Sequence, residues 1–237
     1  EKLDADIGFI LSTGIEVHTN TAIGTDIPFS EIENQYDAVY IAIGAHNDKK
    51  LGIEGEDSKG VYAAVQLLRD IGEGRIPDFQ GKRVCVIGGG NVSMDATRTA
   101  IRLGAQSVTC VYRRRVNDMT ALAEEIEEAQ SEGCQILPLQ APDHIEADEN
   151  GCVTALWTRP QIIGAYGSDG RPRPSDADAP RFRIPCDIVI VAIGQAIDAK
   201  PFEQVTPVVR GKIQAESDAF VPNTPHAVSY THLRAHE

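Results

Sequence analysis

An α/β fold built on a parallel sheet is the architecture this sequence predicts, and three observations predict it. The run Val84-Cys85-Val86-Ile87-Gly88-Gly89-Gly90-Asn91-Val92-Ser93 reads as a buried strand, a glycine turn and the start of a helix. The segments Asp37 to Gly44 and Asp187 to Gly194 share one form, an Asp, five apolar or aromatic residues and then Ile-Gly. Within the chain between them, residues 143–184 change to short β-rich runs, with turn signals at Glu149-Asn150-Gly151 and Ser168-Asp169-Gly170. Matching buried strands on either side of a strand–turn–helix unit predict two similar domains. One is nested in the other, and an antiparallel β-meander is inserted in the inner one.

Residues 3–13 predict a short helix ended by Gly14, and Ile15 to His18 a strand. Ala38 to Ile43 is an apolar strand that delivers Gly44 and Ala45 to a sheet edge, where bare backbone can lie against a flat ligand. His46 to Lys59 is polar, contains two glycines and predicts a loop. Val61 to Ile71 predicts an amphipathic helix with Val61, Val65 and Leu68 on one face. Pro77 and Gly81 then separate it from the inner unit. The division expected is a partial outer domain at 1–45, a connecting loop and helix at 46–80, an inner domain at 81–197 and a partial return to the outer domain at 198–237.

In the inner domain Val92, Ala96, Ala100 and Leu103 fall on one helical face, and Gly104 closes the helix. Ser107 to Tyr112 is a second β-rich run, completing a β-α-β unit of about 30 residues. Leu122, Ile126 and Ala129 mark another helix, whose outer face (Glu124, Glu125, Glu127, Glu128) reads as solvated. Residues 134–138 predict a third strand, Arg171 to Pro180 a proline-rich charged loop, and Asp187 to Ile193 a fully apolar strand.

The strand–glycine–helix order is that of a Rossmann-like dinucleotide fold, in which a pyrophosphate sits on a helix N-terminus. Gly88 permits the tight turn, Gly90 lets backbone approach phosphates, and Ser93 supplies the small residue that helix–strand packing needs. Gly89, Asn91 and Val92 complete the candidate phosphate-binding turn. The competing reading is a purely structural glycine turn. The second strand decides between nucleotides. An NAD site carries Asp or Glu at its end, whereas this chain has Tyr112 followed by Arg113, Arg114 and Arg115. A guanidinium fork matches the 2′-phosphate of NADP. A solvated basic turn is the alternative, although three arginines run against a chain of net charge −13.

That acidic balance, 35 Asp and Glu against 22 Lys and Arg, argues against nucleic acid or an anionic membrane as partner. No segment approaches the roughly 18 apolar residues of a membrane span. The five cysteines (85, 110, 134, 152, 186) form no C-x-x-C pair, so neither an iron–sulfur nor a zinc motif is visible, and a reducing cytoplasm is expected. The chain starts at Glu1 rather than Met and reads as a fragment.

The combination Y-D-A-V-Y-I-A-I-G-A (36–45), G-G-G-N-V-S-M-D (88–95), R-L-G-A (102–105), Y-R-R (112–114) and D-I-V-I-V-A-I-G-Q (187–195) resembles the two-dinucleotide-binding-domain flavoproteins. Within them it is similar to the small subunit of glutamate synthase and its electron-transfer relatives. The resemblance covers roughly residues 1–225. It implies an FAD domain interrupted by an NADP domain, with hydride passing from NADPH to flavin and electrons going on to an iron–sulfur partner or subunit. Gly88, Gly90, Asn91 and Ser93 would then hold the pyrophosphate, Arg113 and Arg114 the 2′-phosphate, and Ala192, Ile193 and Gly194 the nicotinamide end. No catalytic side chain and no metal ligand is named.

The departures are an FAD fingerprint and cluster-binding cysteines absent upstream, Ser93 for Ala, and Thr120 for Pro. A tail at 229–237 replaces a Gly-Asp turn after Val221 to Pro225 and reads as non-native, so His226, His232 and His236 are not read as ligands. A chain cut in this way is expected not to retain FAD. A non-catalytic NADP-binding module is the alternative function, and a single-domain dehydrogenase is disfavoured by the paired strands.

Overall fold

The computed structural model describes residues 2–167, 170–209, 211–214 and the backbone of 227–229. It divides into a unit made of Glu1–Ala45 with Ile197–Glu237 and a second unit, His46–Ala196. The first unit begins with α1 (Lys2–Leu11), α2 (Phe29–Gln35) and β1 (Val39–Ile41). None of the residues of α1 is buried, whereas Phe29 of α2 meets Phe202 edge-on with ring centroids 5.1 Å apart. The strand predicted at Ile15–His18 does not form. These residues are exposed and pair with no strand among the described residues, and an apolar run needs a ladder partner to become a strand.

The second unit opens with β2 (Asn47–Asp48), β3 (Val61–Ala63) and α3 (Ala64–Gly72), and continues with β4 (Arg83–Ile87), α4 (Asn91–Arg102), β5 (Ser107–Tyr112), α5 (Ala123–Ser131) and β6 (Gln135–Pro138). The inserted meander is β7 (Gln140–Ala147), β8 (Val153–Tyr166), β9 (Pro172–Asp176) and β10 (Phe182–Pro185), after which come β11 (Ile188–Val191) and β12 (Gln195–Ala196). Five strands form one sheet in the order β3-β11-β4-β5-β6, and every pairing is parallel. The α/β class, the parallel sheet and the antiparallel meander are those the sequence predicts.

The central strands of this sheet are buried on both faces, so β11 is apolar throughout and alternation along β4 and β11 sorts side chains between two cores. Val84, Val86, Ile188 and Ile190 face Ala64 and Leu67 of α3 and Ala96 and Ala100 of α4. Cys85, Ile87, Val189 and Val191 face Ile145, Val153, Leu156 and Ile184 of the meander. Burying side chains of this size stabilises by about 1.5–3 kcal/mol each relative to exposure. The layers are therefore helix, parallel sheet and antiparallel sheet.

Four further expectations need correction. Residues 46–80 are not a connector but part of the second unit. Val61–Ala63 pairs with Val189–Val191, and the Asp48 carboxylate caps α3 by accepting from the amides of Val65 (3.0 Å) and Gln66 (3.1 Å). The helix predicted from Val61 starts instead at Ala64, because Val61 and Tyr62 suit the sheet edge offered by β11. The loop predicted at Arg171–Pro180 contains β9, which among the described residues pairs only with β8 and so tolerates Pro172 and Pro174. The acidic face of α5 is not wholly solvated either. Glu125 and Glu128 pair with Arg98 of α4 at 3.0 and 2.6 Å.

The first unit resumes with β13 (Val208–Val209), β14 (Lys212–Ile213) and β15 (Ala227–Ser229). β15 pairs in parallel with β1, and Phe29, Ile41, Ala199, Phe202 and Ile213 form the core of this unit. Apart from Ser229, the tail at 229–237 lies outside the described residues, as do Val221 to Pro225, His226, His232 and His236.

The β4–β11 pair is clamped at its N-terminal end by Asp187. It accepts from the Arg83 amide (2.8 Å) and from Nε (3.1 Å) and Nη2 (2.7 Å) of the same residue. The guanidinium, together with the amide bond, holds the carboxyl below its usual value against the opposing effect of burial. A depressed carboxylate stabilises above its unfolded pKa and loses that contribution as pH falls through the folded value. Asp187→Asn is therefore expected to melt lower than wild type at neutral pH, and the gap should close as pH drops below about 4. Melting curves taken across that range check this, and a pH-independent gap would contradict it.

Candidate functional site

The C-terminal ends of β4 and β11 lie side by side at the point where strand order reverses: β5 and β6 continue on one side of β4, β11 and β3 on the other. Open α/β sheets bind ligands at such a crevice. The two predicted segments meet there. Gly88 has φ +151° and donates its amide to Val111 O at 3.1 Å, and a Cβ on it would strike the Ala192 carbonyl oxygen. Ala192 in turn donates to Ile87 O at 2.8 Å. Ile193 and Gly194 follow as exposed residues, Gly194 with φ +116° and its carbonyl accepting from the Lys49 amide at 3.1 Å.

The three turn glycines have different reasons to be glycine. Gly88 needs its positive φ and the space taken by Ala192. Gly89 lies against the Tyr112 ring, which a Cβ would approach to 2.5 Å. Gly90 has φ −103°, open to any residue, and the only atom near its missing Cβ is Thr120 Oγ1 at an ordinary 3.4 Å. No contact inside the fold excludes a Cβ at position 90, so glycine there leaves the backbone at the start of α4 bare.

Gly90 is also the N-cap of α4 and offers no side-chain cap. The Ser93 amide donates to Gly90 O at 2.9 Å, while the amides of Gly90, Asn91 and Val92 have no partner among the described residues. Free amides and the positive end of the helix dipole together favour an anion at this place. The side chains beneath are structural. Ser93 is fully buried with Oγ 3.7 Å from Cys110 Sγ, Val92 packs on the helix-side core, and Asn91 Oδ1 accepts from the Leu122 amide at 3.0 Å. Burial pushes the Cys110 thiol up to about 12, which makes it a neutral spacer donating to Gly88 O at 3.3 Å.

At the end of β5 the three arginines take separate roles. Arg115 is matched by Asp118, with Nε and Nη2 at 2.8 and 2.9 Å from its carboxylate oxygens. Arg114 is only 8% exposed and its Nε donates to Pro172 O at 2.8 Å. Arg113 is exposed and has no hydrogen bond or ion pair with the described residues. Partial desolvation lowers its pKa, and the nearby charges of Arg114 and Arg171 add to that effect. The Tyr112 ring is buried against Gly89, and its hydroxyl donates to Asp118 O at 2.7 Å. An unmatched cation thus stands one strand over from the free amides, at the distance in sequence that a dinucleotide fold requires. Arg171 is a residue that sequence reading missed, since nothing in its local pattern links it to the turn 59 residues earlier in the chain.

Gly44 (φ +68°) and Ala45 belong to the other unit and follow β1. An open cavity of about 520 Å³ around Glu54, Gly55 and Ser58 is lined by three acidic residues, Glu54, Glu56 and Asp57, beside Lys59. Its Glu56 is spent on the amides of Leu51 and Gly52. Among the described residues no helix is long and apolar enough to cross a membrane, and no three metal-ligating side chains converge.

The chain is 38% identical over 198 residues to the NADP(+)-dependent formate dehydrogenase subunit beta of Moorella thermoacetica, a match covering 83% of this chain and 28% of that protein. It is 36% identical to the glutamate synthase [NADPH] small chain of Escherichia coli, covering 76% of this chain and 40% of that one. It therefore spans less than half the length of these relatives. Among solved structures, Mycobacterium tuberculosis FprA in complex with NADPH superposes with a TM-score of 0.77 at 21% identity, over 89% of this chain and 61% of that one. The thioredoxin reductase of T. acidophilum gives 0.60 at 19%, over 81% and 56%. These two likenesses establish a shared fold. The sequence matches the pyridine nucleotide-disulphide oxidoreductase family over residues 2–224, and the chain belongs to that family.

Proposed function

We propose that residues 46–196 bind NADPH as the hydride donor of a flavin-dependent oxidoreductase. The observation that carries this reading is the pairing of unclaimed amides at Gly90, Asn91 and Val92 with the unmatched cation Arg113. The amides suit the pyrophosphate, and Arg113 suits the 2′-phosphate that separates NADPH from NADH. Arg114 contributes its charge while its Nε holds Pro172. Ala192, Ile193 and Gly194, at the adjoining strand end, present backbone to the nicotinamide half. Tyr112 and Ser93 act by shaping the turn rather than by touching the ligand.

The family works with NADPH and FAD. FAD, when bound, supplies the hydride acceptor, and that transfer needs no protein acid or base. The residues of this chain bind and orient, and none is assigned a catalytic proton. The relatives' names as small chain and subunit beta support a second inference, that electrons pass onward to a partner subunit. An iron–sulfur centre in that partner, and a cytoplasmic setting, belong to the same proposal.

Losing one charge-assisted phosphate contact costs about 1.5–3 kcal/mol, roughly tenfold or more in affinity. Arg113→Ala is therefore expected to weaken NADPH binding by about that factor and to leave NADH unchanged. Titrations with both nucleotides check it, and equal losses would remove the 2′-phosphate assignment.

The glycines separate fold from ligand. Gly90→Ala should melt with wild type yet bind neither nucleotide well, and Gly90→Val should bind neither. Gly88→Ala should instead lose stability, because its Cβ meets Ala192 O at a positive φ. If Gly90→Ala bound normally, the pyrophosphate would have to lie elsewhere.

A further inference from the structure

The strand end at Gly194 carries a charged group of its own. β2 and β12 pair antiparallel, with Gln195 opposite Asp48 and Ala196 opposite Asn47, and the next step of that ladder sets Lys49 against Gly194. The Lys49 amide donates to Gly194 O at 3.1 Å. Residues opposite one another on antiparallel strands project from the same face. Gly194 has no side chain to project, and Lys49 leans into the space left: its Nζ lies 3.8 Å from where a Gly194 Cβ would stand. The charged neighbours of Lys49 are spent elsewhere. Asp48 caps α3 through the amides of Val65 and Gln66, and Lys50 pairs with Asp57 at 3.1 Å. The Lys49 side chain is exposed and has no hydrogen bond or ion pair among the described residues. An uncompensated ammonium therefore stands over the bare backbone at the end of β11.

We infer that Lys49 selects the redox form of the nucleotide, setting the crevice to hold NADPH in preference to NADP⁺. The inference rests on the reading of this site as an NADPH site whose nicotinamide half lies against Ala192 to Gly194. The dihydronicotinamide ring of NADPH is neutral. Giving up a hydride, a proton with two electrons, to the acceptor leaves the ring of NADP⁺ positively charged, while the phosphates at the far end are unchanged. A ring lying against Gly194 has the Lys49 ammonium beside it, so the cation repels the product and is indifferent to the substrate. Two unit charges about 4 Å apart in water interact strongly enough to move a binding equilibrium about fivefold, and more strongly where protein excludes water. Lysine suits this role because its ammonium is a compact point charge. The consequence is that spent nucleotide leaves more readily than fresh nucleotide, which lowers product inhibition in the NADPH-consuming direction.

The test titrates the full chain with NADPH, NADP⁺ and 2′,5′-ADP, which has the 2′-phosphate and no nicotinamide, and compares wild type with Lys49→Gln, Lys49→Glu and Lys49→Arg. Lys49→Gln is expected to bind NADP⁺ about fivefold tighter and to leave NADPH and 2′,5′-ADP unchanged. Lys49→Glu should move NADP⁺ further in the same direction, and Lys49→Arg should keep the wild-type ratio. Added salt should shrink the difference between wild type and Lys49→Gln. If the ratio of NADP⁺ to NADPH affinity is the same in wild type, Lys49→Gln and Lys49→Glu, the inference is overturned. Equal loss on NADPH and NADP⁺ overturns it as well, because Lys49 would then hold a group common to both. The 2′,5′-ADP titration separates the levels. A chain that binds it but shows no dependence on Lys49 removes the role of Lys49 alone, and a chain that does not bind it removes the reading of the site.

Discussion

The close approach of two parallel strand ends is the constraint on which the second unit depends. β4 and β11 run side by side, joined at their N-terminal end by the Arg83–Asp187 fork and at the other by Gly88 lying on the Ala192 carbonyl. That contact leaves no room for a side chain, so the backbone must turn at once and start α4 with its N-terminus directed over the sheet edge. Everything proposed to hold a nucleotide follows from this geometry. The free amides belong to the first turn of α4, the bare backbone of Gly90 precedes it, and Ala192 to Gly194 form the adjoining wall.

The second strand boundary sets the charge. Tyr112 turns inward to cover Gly89, which removes the acidic residue that would face a ribose in an NAD site and leaves the arginines that follow as the polar groups at this edge. Among them, Arg115 is neutralised by Asp118 and Arg114 is partly anchored, so Arg113 carries the unmatched charge. A local cationic cluster in a protein of net charge −13 suits the small anionic ligand proposed here, and its field is screened beyond the Debye length of about 8 Å at physiological ionic strength.

Much of this was legible in the sequence because it is local. Strand, glycine turn and helix sit within Val84–Leu103, and the arginines follow the next strand directly. The parallel sheet could be read from apolar runs such as Ile188–Val191, which are buried on both faces and lack alternation. What stayed hidden is non-local. Val61–Ala63 is too short for periodicity to separate strand from helix, and its partner lies more than a hundred residues on. β9 carries prolines that speak against a strand and are admitted because, among the described residues, its outer edge is unpaired. Arg171 reaches Tyr112 through the length of the β8–β9 arm, a register that no local pattern encodes. The distinct role of Gly90 also needed coordinates, since only the empty space at its Cβ separates it from Gly88 and Gly89.

The ionisation of the bound 2′-phosphate tests the central claim most directly. Phosphorus NMR of NADP⁺ titrated with the full chain reports the 2′-phosphate and the pyrophosphate separately. A phosphate monoester ends its second ionisation near pH 6 in solution, and neighbouring guanidinium groups favour its dianion. The account predicts that both pyrophosphate signals shift on binding and that the 2′-phosphate titrates at distinctly lower pH than in the free nucleotide. A bound nucleotide whose 2′-phosphate keeps its free-solution titration would contradict it, because that phosphate would then stand in water and not among the arginines.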